Sequence, residues 1–506
     1  MGSLGTSFYK SNGPSDPTGP TGKLSNWIHD VSLDAIPQYI RDRAKYLLLD
    51  GLACLLVGAQ LPGSQLAVRA ILGMEPPGHC TISGWADKKI SPLQAALLNS
   101  TFIQAFELDD WHSEAPLHSN SLVIPAILAA AEHSTYTNGS DYDHRPITGS
   151  DMLLASIVGY EVGPRVGLGM YGAHMLTMGW HSGSVFGPSP AAAASAKILR
   201  LRPGQIEDAL GIACTQAGGL MSAQYESDVK RMQHGFATRN GLMGTLLART
   251  GYKGIKRVYE QEYGGFLTCF TRGNGMKPNA RPEEVSKELG EVWKVAGVNV
   301  KAYAAMAGTH CTIDCMRELQ NKYPSQMKDL TRIEHIIIEM GEASYHHGGW
   351  QANRPLAAIG AQMNNAYVGA TQLVDGVVLP PQFADDMLDR NEVWDLVAKT
   401  ECRESHDFKQ KFAQRVTITF VEDEAGQGQE HLVVELPGPK GVVPELSNQE
   451  IVEKWRALAA TVIDNARREK IEDLVLNLES CSDINNLIEL LAPLTRNPLA
   501  TEEKET

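Results

Sequence analysis

At 506 residues, with 43% apolar and 21% charged side chains, the chain is a folding sequence too long for one core, so two or three domains are expected. A net charge of −14 excludes a nucleic-acid binder, which needs a basic face. No stretch approaches eighteen uninterrupted apolar residues, so no membrane-spanning helix is expected.

The opening "MGSLGTSFYKSNGPSDPTGPTGK" is rich in Gly, Ser, Pro and Thr, and residues 1–23 are expected to be disordered. Gly2 with Thr6 also fits a myristoylation pattern. No secretory signal opens the chain and its eight cysteines are scattered, which predicts reduced thiols and a cytoplasmic location. From about 24 to 270 the reading is almost wholly helical, within a helical domain drawn over 24–294. Apolar residues recur at three- and four-residue steps in 36–59, 92–108, 121–134, 151–167 and 205–224. The texture changes near 295. "VNVKAYAA" (298–305), "IEHIIIEMG" (333–341), "RVTITFVED" (415–423) and "EHLVVELP" (430–437) are β-branched runs of strand length. Helical pattern returns from Ser447 to about 492, within a returning segment drawn over 443–495, with Ser447 and Glu450 spaced as a capping box, and 496–506 reads as a disordered tail. The fold class expected is therefore mainly α with an α+β part. A large helical domain is built from the N- and C-terminal segments, and a smaller α+β domain is inserted over 295–442.

Titratable groups gather in four places. "FELDDWHSEAPLHSNSLVIP" (106–125) joins two helices: Asp109 and Asp110 are read as ending the first, with Ser119 or Ser121 capping the second. Capping does not explain His112 and His118, residues suited to proton transfer near neutral pH. "MGWHSGSVFGP" (178–188) carries His181 among glycines, where a solvated loop histidine is the plain reading. "SDVKRMQHGFATRNG" (227–241) puts Lys230 and His234 on one helical face beside Arg231, which reads as a solvated face or an anion clamp. "VNVKAYAAMAGTH" (298–310) places Lys301, Tyr303 and His310 along an apolar strand, from which a lysine can snorkel. His310, Cys311 and Cys315 lack a second ligand pair, so a helix carrying two cysteines is expected and no metal.

Together and in order, these four segments resemble the MmgE/PrpD family, and within it the fungal cis-aconitate decarboxylases, from about residue 24 to 495. The resemblance implies a helical domain with an α+β lid, a homodimer, and a metal-free, cofactor-free site at the domain cleft that acts on a small tricarboxylate. Neither nucleic acid nor membrane is expected as a partner. Carried over residue by residue, the family's site falls on Glu107, His118, His181, Lys230 and Lys301. The family aspartate is a glutamate at 107, and Trp111-His112-Ser113 with the spacer Glu114–Leu117 departs from the dehydratase branch. A lid residue is sought in "SYHHGGW" (344–350), among Tyr345, His347 and Trp350. The activity implied is decarboxylation of cis-aconitate to itaconate. Lys230 and Lys301 would bind carboxylates, supported by Arg231 or His234, with Tyr303 and His347 as further contacts. His118 is the first choice of proton donor and His181 the second. Asp110, Glu107 and His112 would orient the imidazoles. The runner-up is a 2-methylcitrate dehydratase-like hydro-lyase. A catalytically dead scaffold would have lost the lysines and histidines, which this chain keeps.

Overall fold

The structure, a computed structural model, describes residues 13–136, 145–224, 227–408, 410–421 and 430–500. They divide into two compact units. The first takes the chain up to Ala105, then Asp109–Val298 and Asn448–Arg496; the second takes Phe106–Leu108, Asn299–Ser447 and the tail from Asn497. The chain is mainly α with a small α+β part. The crossings fall a few residues after the expected 295 and 443, and the excursion of Phe106–Leu108 has no compositional signal.

The first unit is helical. In chain order come α1 (Pro20–Asp30), α2 (Gln38–Gly58), α3 (Pro62–Met74), α4 (Pro92–Gln104), α5 (Ser119–Tyr136) and α6 (Gly149–Gly169). They are followed by α7 (Gly172–Thr177), α8 (Ser182–Phe186), α9 (Pro188–Ile198), α10 (Pro203–Cys214), α11 (Val229–Arg249) and α12 (Phe266–Phe270). Residues 47–58 of α2 and 119–132 of α5 are buried on every face, as expected for helices apolar all round. α11 packs on α4, α9 and α10, and α2 on α4. That last approach is close: a Cβ on Gly58 would stand 1.8 Å from the Phe102 carbonyl oxygen. Short strands β1 (Cys80–Thr81) and β2 (Lys89–Ile90) pair antiparallel, and β3 (Trp111–His112) and β4 (Val298–Asn299) are two residues each. Among the described residues no single helix is long and apolar enough to cross a membrane.

Several expectations change. The lead read as disordered to residue 23 is placed from 13 onward. Ser15 gives its amide and hydroxyl to Glu207 at 2.9 and 2.6 Å, and α1 begins at Pro20. Residues 1–12, with the Gly2 pattern, lie outside the described residues, as do 501–506 of the tail; 496–500 are placed. The helix expected over 205–224 stops at Cys214, before Gly218 and Gly219. From Thr250 glycines replace the helix expected to about 270 with turns that lead into the short α12.

In the second unit, α13 (His310–Lys322) precedes β5 (Ile333–Met340), α14 (Glu342–Gly348), α15 (Ala358–Gln362), α16 (Asn365–Asp375), α17 (Asp385–Leu388) and α18 (Asn391–Ala398). Then come β6 (Thr400–Glu404), β7 (Gln414–Phe420) and β8 (His431–Leu436), in the order β6-β5-β7-β8. β6 runs parallel to β5 with Ile336 opposite Thr400, and the other pairs are antiparallel. Ile336, Ile338, Val416, Ile418 and Val434 point to the buried face, and α13 packs against β7 and β8. Of the four expected strands, "VNVKAYAA" shrinks to β4, after which the chain bends. β6 was not expected, because "TECRE" is a mostly exposed edge with no apolar alternation.

The C-terminal return supplies α19 (Asn448–Val462), α20 (Asn465–Leu476) and α21 (Asn485–Leu491) to the first unit. Lys454 of α19 meets Asp50 of α2 at 2.5 Å, both buried.

Candidate active site

The junction between α4 and α5 is built differently from its sequence reading. α4 ends at Gln104, and the two aspartates lie beyond it, both fully buried. Asp110, not Ser119 or Ser121, caps α5: its carboxylate accepts the amides of Ser119 and Asn120 at 2.8 and 2.9 Å. Burial, and then the charge of Asp109, push the Asp110 carboxyl well above the usual range. Its place is the helix start rather than an imidazole. Asp109 is the acid that meets a histidine. Its Oδ2 accepts from Gln104 Nε2 at 2.9 Å and lies 3.2 Å from His118 Nδ1, an ion-pair approach whose angle falls short of a hydrogen bond.

His112 is turned to the backbone. Its amide donates to the Leu117 carbonyl at 3.1 Å, closing the loop, and its Nδ1 accepts from the Ala115 amide at 3.2 Å. An accepting Nδ1 makes the ring neutral. Burial, with the charge of Lys294, lowers its pKa to about 4. This histidine holds the loop that carries His118 instead of tuning another imidazole, and Glu114 on the same loop is exposed.

Three imidazoles come together behind that loop. The ring of His234, in the second turn of α11, lies 5.3 Å from His118 and 5.2 Å from His181 between ring centroids. Ser121 Oγ donates to the His118 carbonyl and lies 2.8 Å from His234 Nδ1. The hydroxyl has one proton, so His234 Nδ1 carries the proton of the second bond. His181 Nδ1 lies 2.8 Å from both Gln233 Oε1 and Ser184 Oγ. Gln233 Nε2 donates to the Leu220 carbonyl at 3.0 Å, which fixes its oxygen toward the ring and puts the proton on His181 Nδ1. His181 is therefore no solvated loop residue. It starts α8, and its loop is held by bonds between Gly179–His181 and Gly219–Met221. Gly183 gives the cluster its room, for a Cβ there would stand 2.5 Å from His234 Nε2.

Lys230 and His234 share one face of α11, with Lys230 half-buried in the first turn. Arg231 reaches the carbonyl of Gln104 at 3.4 Å, so it satisfies the end of α4.

In the second unit, Lys301 is buried and bonds Glu107 Oε2 at 2.8 Å; it does not snorkel. Glu107 is itself buried, with a left-handed backbone (φ 56) that a residue bearing a Cβ adopts at a cost of about 1–2 kcal/mol. Gln362 anchors that segment through the Phe106 carbonyl at 3.0 Å. Tyr303 gives its hydroxyl to Asp314 and stacks edge-on with His310, which commits it to the unit's own core. His347 stands exposed on α14 with Trp350 nearby in sequence, and Tyr345 is half-buried. Cys311 and Cys315 lie on the buried side of α13, near the carbonyls of Leu436 and Gln414. Among the described residues no group of three or more His, Cys, Asp or Glu is placed to hold a metal.

The sequence reading gave no site role to Asp109, Gln104, Ser121, Ser184 or Gln233. Asp109 was in view as half of the DD pair, and only the turn that follows tells it from Asp110. The amide and hydroxyl partners carry no signal of their own.

Comparison with known proteins matches the chain to one family. Residues 22–279 match the MmgE/PrpD N-terminal domain and residues 303–480 the MmgE/PrpD C-terminal domain. A "cis-aconitate decarboxylase-like protein oryM" of Aspergillus oryzae is 47% identical over 93% of this chain and 97% of its own length. The cis-aconitate decarboxylase of Aspergillus terreus is 44% identical over 95% and 98%. The human cis-aconitate decarboxylase is 25% identical over 93% and 94%. Matched over residues 22–279 by one family domain and 303–480 by the other, the chain belongs to the MmgE/PrpD family.

Proposed function

We propose that this protein is a cis-aconitate decarboxylase, forming itaconate and carbon dioxide. The likeness to fungal relatives that bear that name supports the substrate, and the three-histidine cluster supports the chemistry. When the carboxylate on the methylene leaves as carbon dioxide, its bonding pair passes through the neighbouring double bond. It comes to rest on the far carbon, beside another carboxylate. The substrate thus takes up its own electrons, and what the protein must supply is charge stabilisation and one proton.

Exposure sorts the imidazoles. His118 is half-buried, whereas His181 and His234 are buried. A donor must reach the reacting carbon, so His118 takes that role, with Asp109 beside Nδ1 to orient the ring. His181 stands second, its tautomer set by Gln233. His234 is the buried link between them rather than a carboxylate contact. Lys230 and Lys301 are the proposed carboxylate binders, and the homodimer implied by the resemblance is part of the same reading.

The observation that carries this proposal is the pairing of Asp109 with a partly exposed His118. The test is proton NMR of the product formed from cis-aconitate in deuterated water. Itaconate with one deuterium on its saturated methylene and none on its vinyl carbon is expected. Vinyl deuterium would overturn the electron route, and a product that has gained water across the double bond and kept all three carboxylates would make the enzyme a hydro-lyase.

A further inference from the structure

A second place in the first unit gathers cations that the chemistry above does not use. A cavity of about 210 Å³ lies among the end of α1, the start of α6, the end of α9 and the turn into α10; His29, Arg145, Asp151, Lys197 and Arg200 line it. In a chain with 45 basic and 59 acidic residues, two arginines and a lysine around a single acid reverse the local sign. That acid is already engaged. Asp151 closes a capping box with Thr148 at the start of α6, takes Arg200 at 3.1 Å and has Arg145 at 3.8 Å. Lys197 gives two bonds to the carbonyls of His29 and Val31, at 2.8 and 2.7 Å, closing the end of α1. Its ammonium has three donors in all. Arg200 has a left-handed backbone (φ 56), which suits glycine or asparagine better than arginine.

The cavity is far from the histidines. α9 has 11 residues and starts just after the helix that His181 opens, so Lys197 sits about 15 Å along it. On α6, Asp151 is near the start, while Gly163 and Gly167 pack on Leu117 and Ala115 about 18–24 Å further on.

We propose that this cavity is a second anion site, taking a compact di- or trianion whose carboxylate or phosphate groups meet Arg145, Lys197 and Arg200. Guanidinium groups pair with either anion through parallel hydrogen bonds. Occupancy ties α1 to α6 and to the α9–α10 turn, so it stabilises the folded chain.

The experiment titrates inorganic phosphate and citrate, separately, into the full chain by calorimetry. It compares the wild type with Arg200→Gly and Arg200→Lys, with thermal melts to verify folding. The wild type binds at least one probe below about 10 mM. Arg200→Gly, whose backbone suits the left-handed turn, weakens that binding roughly tenfold or more, the loss of one charge-assisted bond. Its turnover of cis-aconitate without added anion stays unchanged. Arg200→Lys keeps the charge and loses less than Arg200→Gly. Citrate also fits the proposed substrate site, so its arm is read as the difference between wild type and Arg200→Gly. Phosphate binding assigns a phosphate-bearing ligand, and citrate binding alone assigns a polycarboxylate. Equal affinities in wild type and Arg200→Gly, or no binding of either probe, would overturn the proposal.

Discussion

At the scale of single residues, adjacent aspartates do different work because the chain turns between them. Asp109 faces His118 and Asp110 faces the amides of α5. Asp109→Asn should therefore lower turnover roughly 10–100-fold, as loss of an orienting partner does, with little change in melting. His118→Ala should lower it ~10²–10⁴-fold. Asp110→Ala should instead cost about 1–2 kcal/mol of stability through the lost cap. Activity loss confined to Asp110→Ala, in well-folded protein, would reverse the assignment. Glu107 and Lys301 present a second case. Lys301→Ala takes the ammonium from a buried carboxylate and should destabilise the chain by about 3–5 kcal/mol. Glu107→Gln with Lys301→Met should recover most of that stability, and if the lysine binds substrate the double variant should stay inactive. An active double variant would remove Lys301 from the site.

At the scale of elements, helix starts and close approaches place the cluster. Gly183 lies inside α8, where alanine suits the backbone, so any harm from Gly183→Ala comes from contact with the His234 ring at 2.5 Å and with the Leu117 Cα at 3.1 Å. That substitution should cost about 1–3 kcal/mol and reduce turnover together, as overpacking against a functional ring does. Wild-type activity would mean that the ring shifts without consequence. The N-terminal lead is a second element that packing decides. Removing residues 2–12 should leave the melting temperature unchanged, while removing 2–19 takes Ser15 from Glu207 and should cost about 2 kcal/mol. Equal melting of the two truncations would show that the bond contributes nothing.

At the scale of the whole molecule, buried titratable groups set how stability varies with pH. His112 has a folded pKa of about 4, below the unfolded value of about 6.5, so it is neutral in the folded chain. Its contribution is complete above the unfolded value and is lost as pH falls from there through 4, up to about 3 kcal/mol. Asp110 and Glu161 act in the opposite sense, since burial raises both. Their stabilisation is greatest below the ordinary carboxylate range and fades as pH rises through their raised values. Comparing the wild type with His112→Asn, which keeps an acceptor for Ala115, isolates the first effect. Between pH 7 and 5 the wild type should lose more stability than the variant; parallel melting curves would show that His112 does not titrate in this way.

The sequence by itself determined the helical make-up of the first unit, three of the four strands of the sheet, and the segments that hold the titratable groups. Periodicity and the order of local motifs are properties of neighbouring residues, so they can be read along the chain. It did not reveal β6, whose edge position needs no apolar alternation, nor the return of Phe106–Leu108 to the second unit. Nor did it show that Asp109 rather than Asp110 meets His118, that His112 belongs to the backbone, or that Tyr303 is taken by Asp314. Those outcomes depend on which atoms burial brings within hydrogen-bonding reach. Ser121 and His234 stand 113 positions apart in the chain, and only the packing of α5 against α11 puts them 2.8 Å from each other.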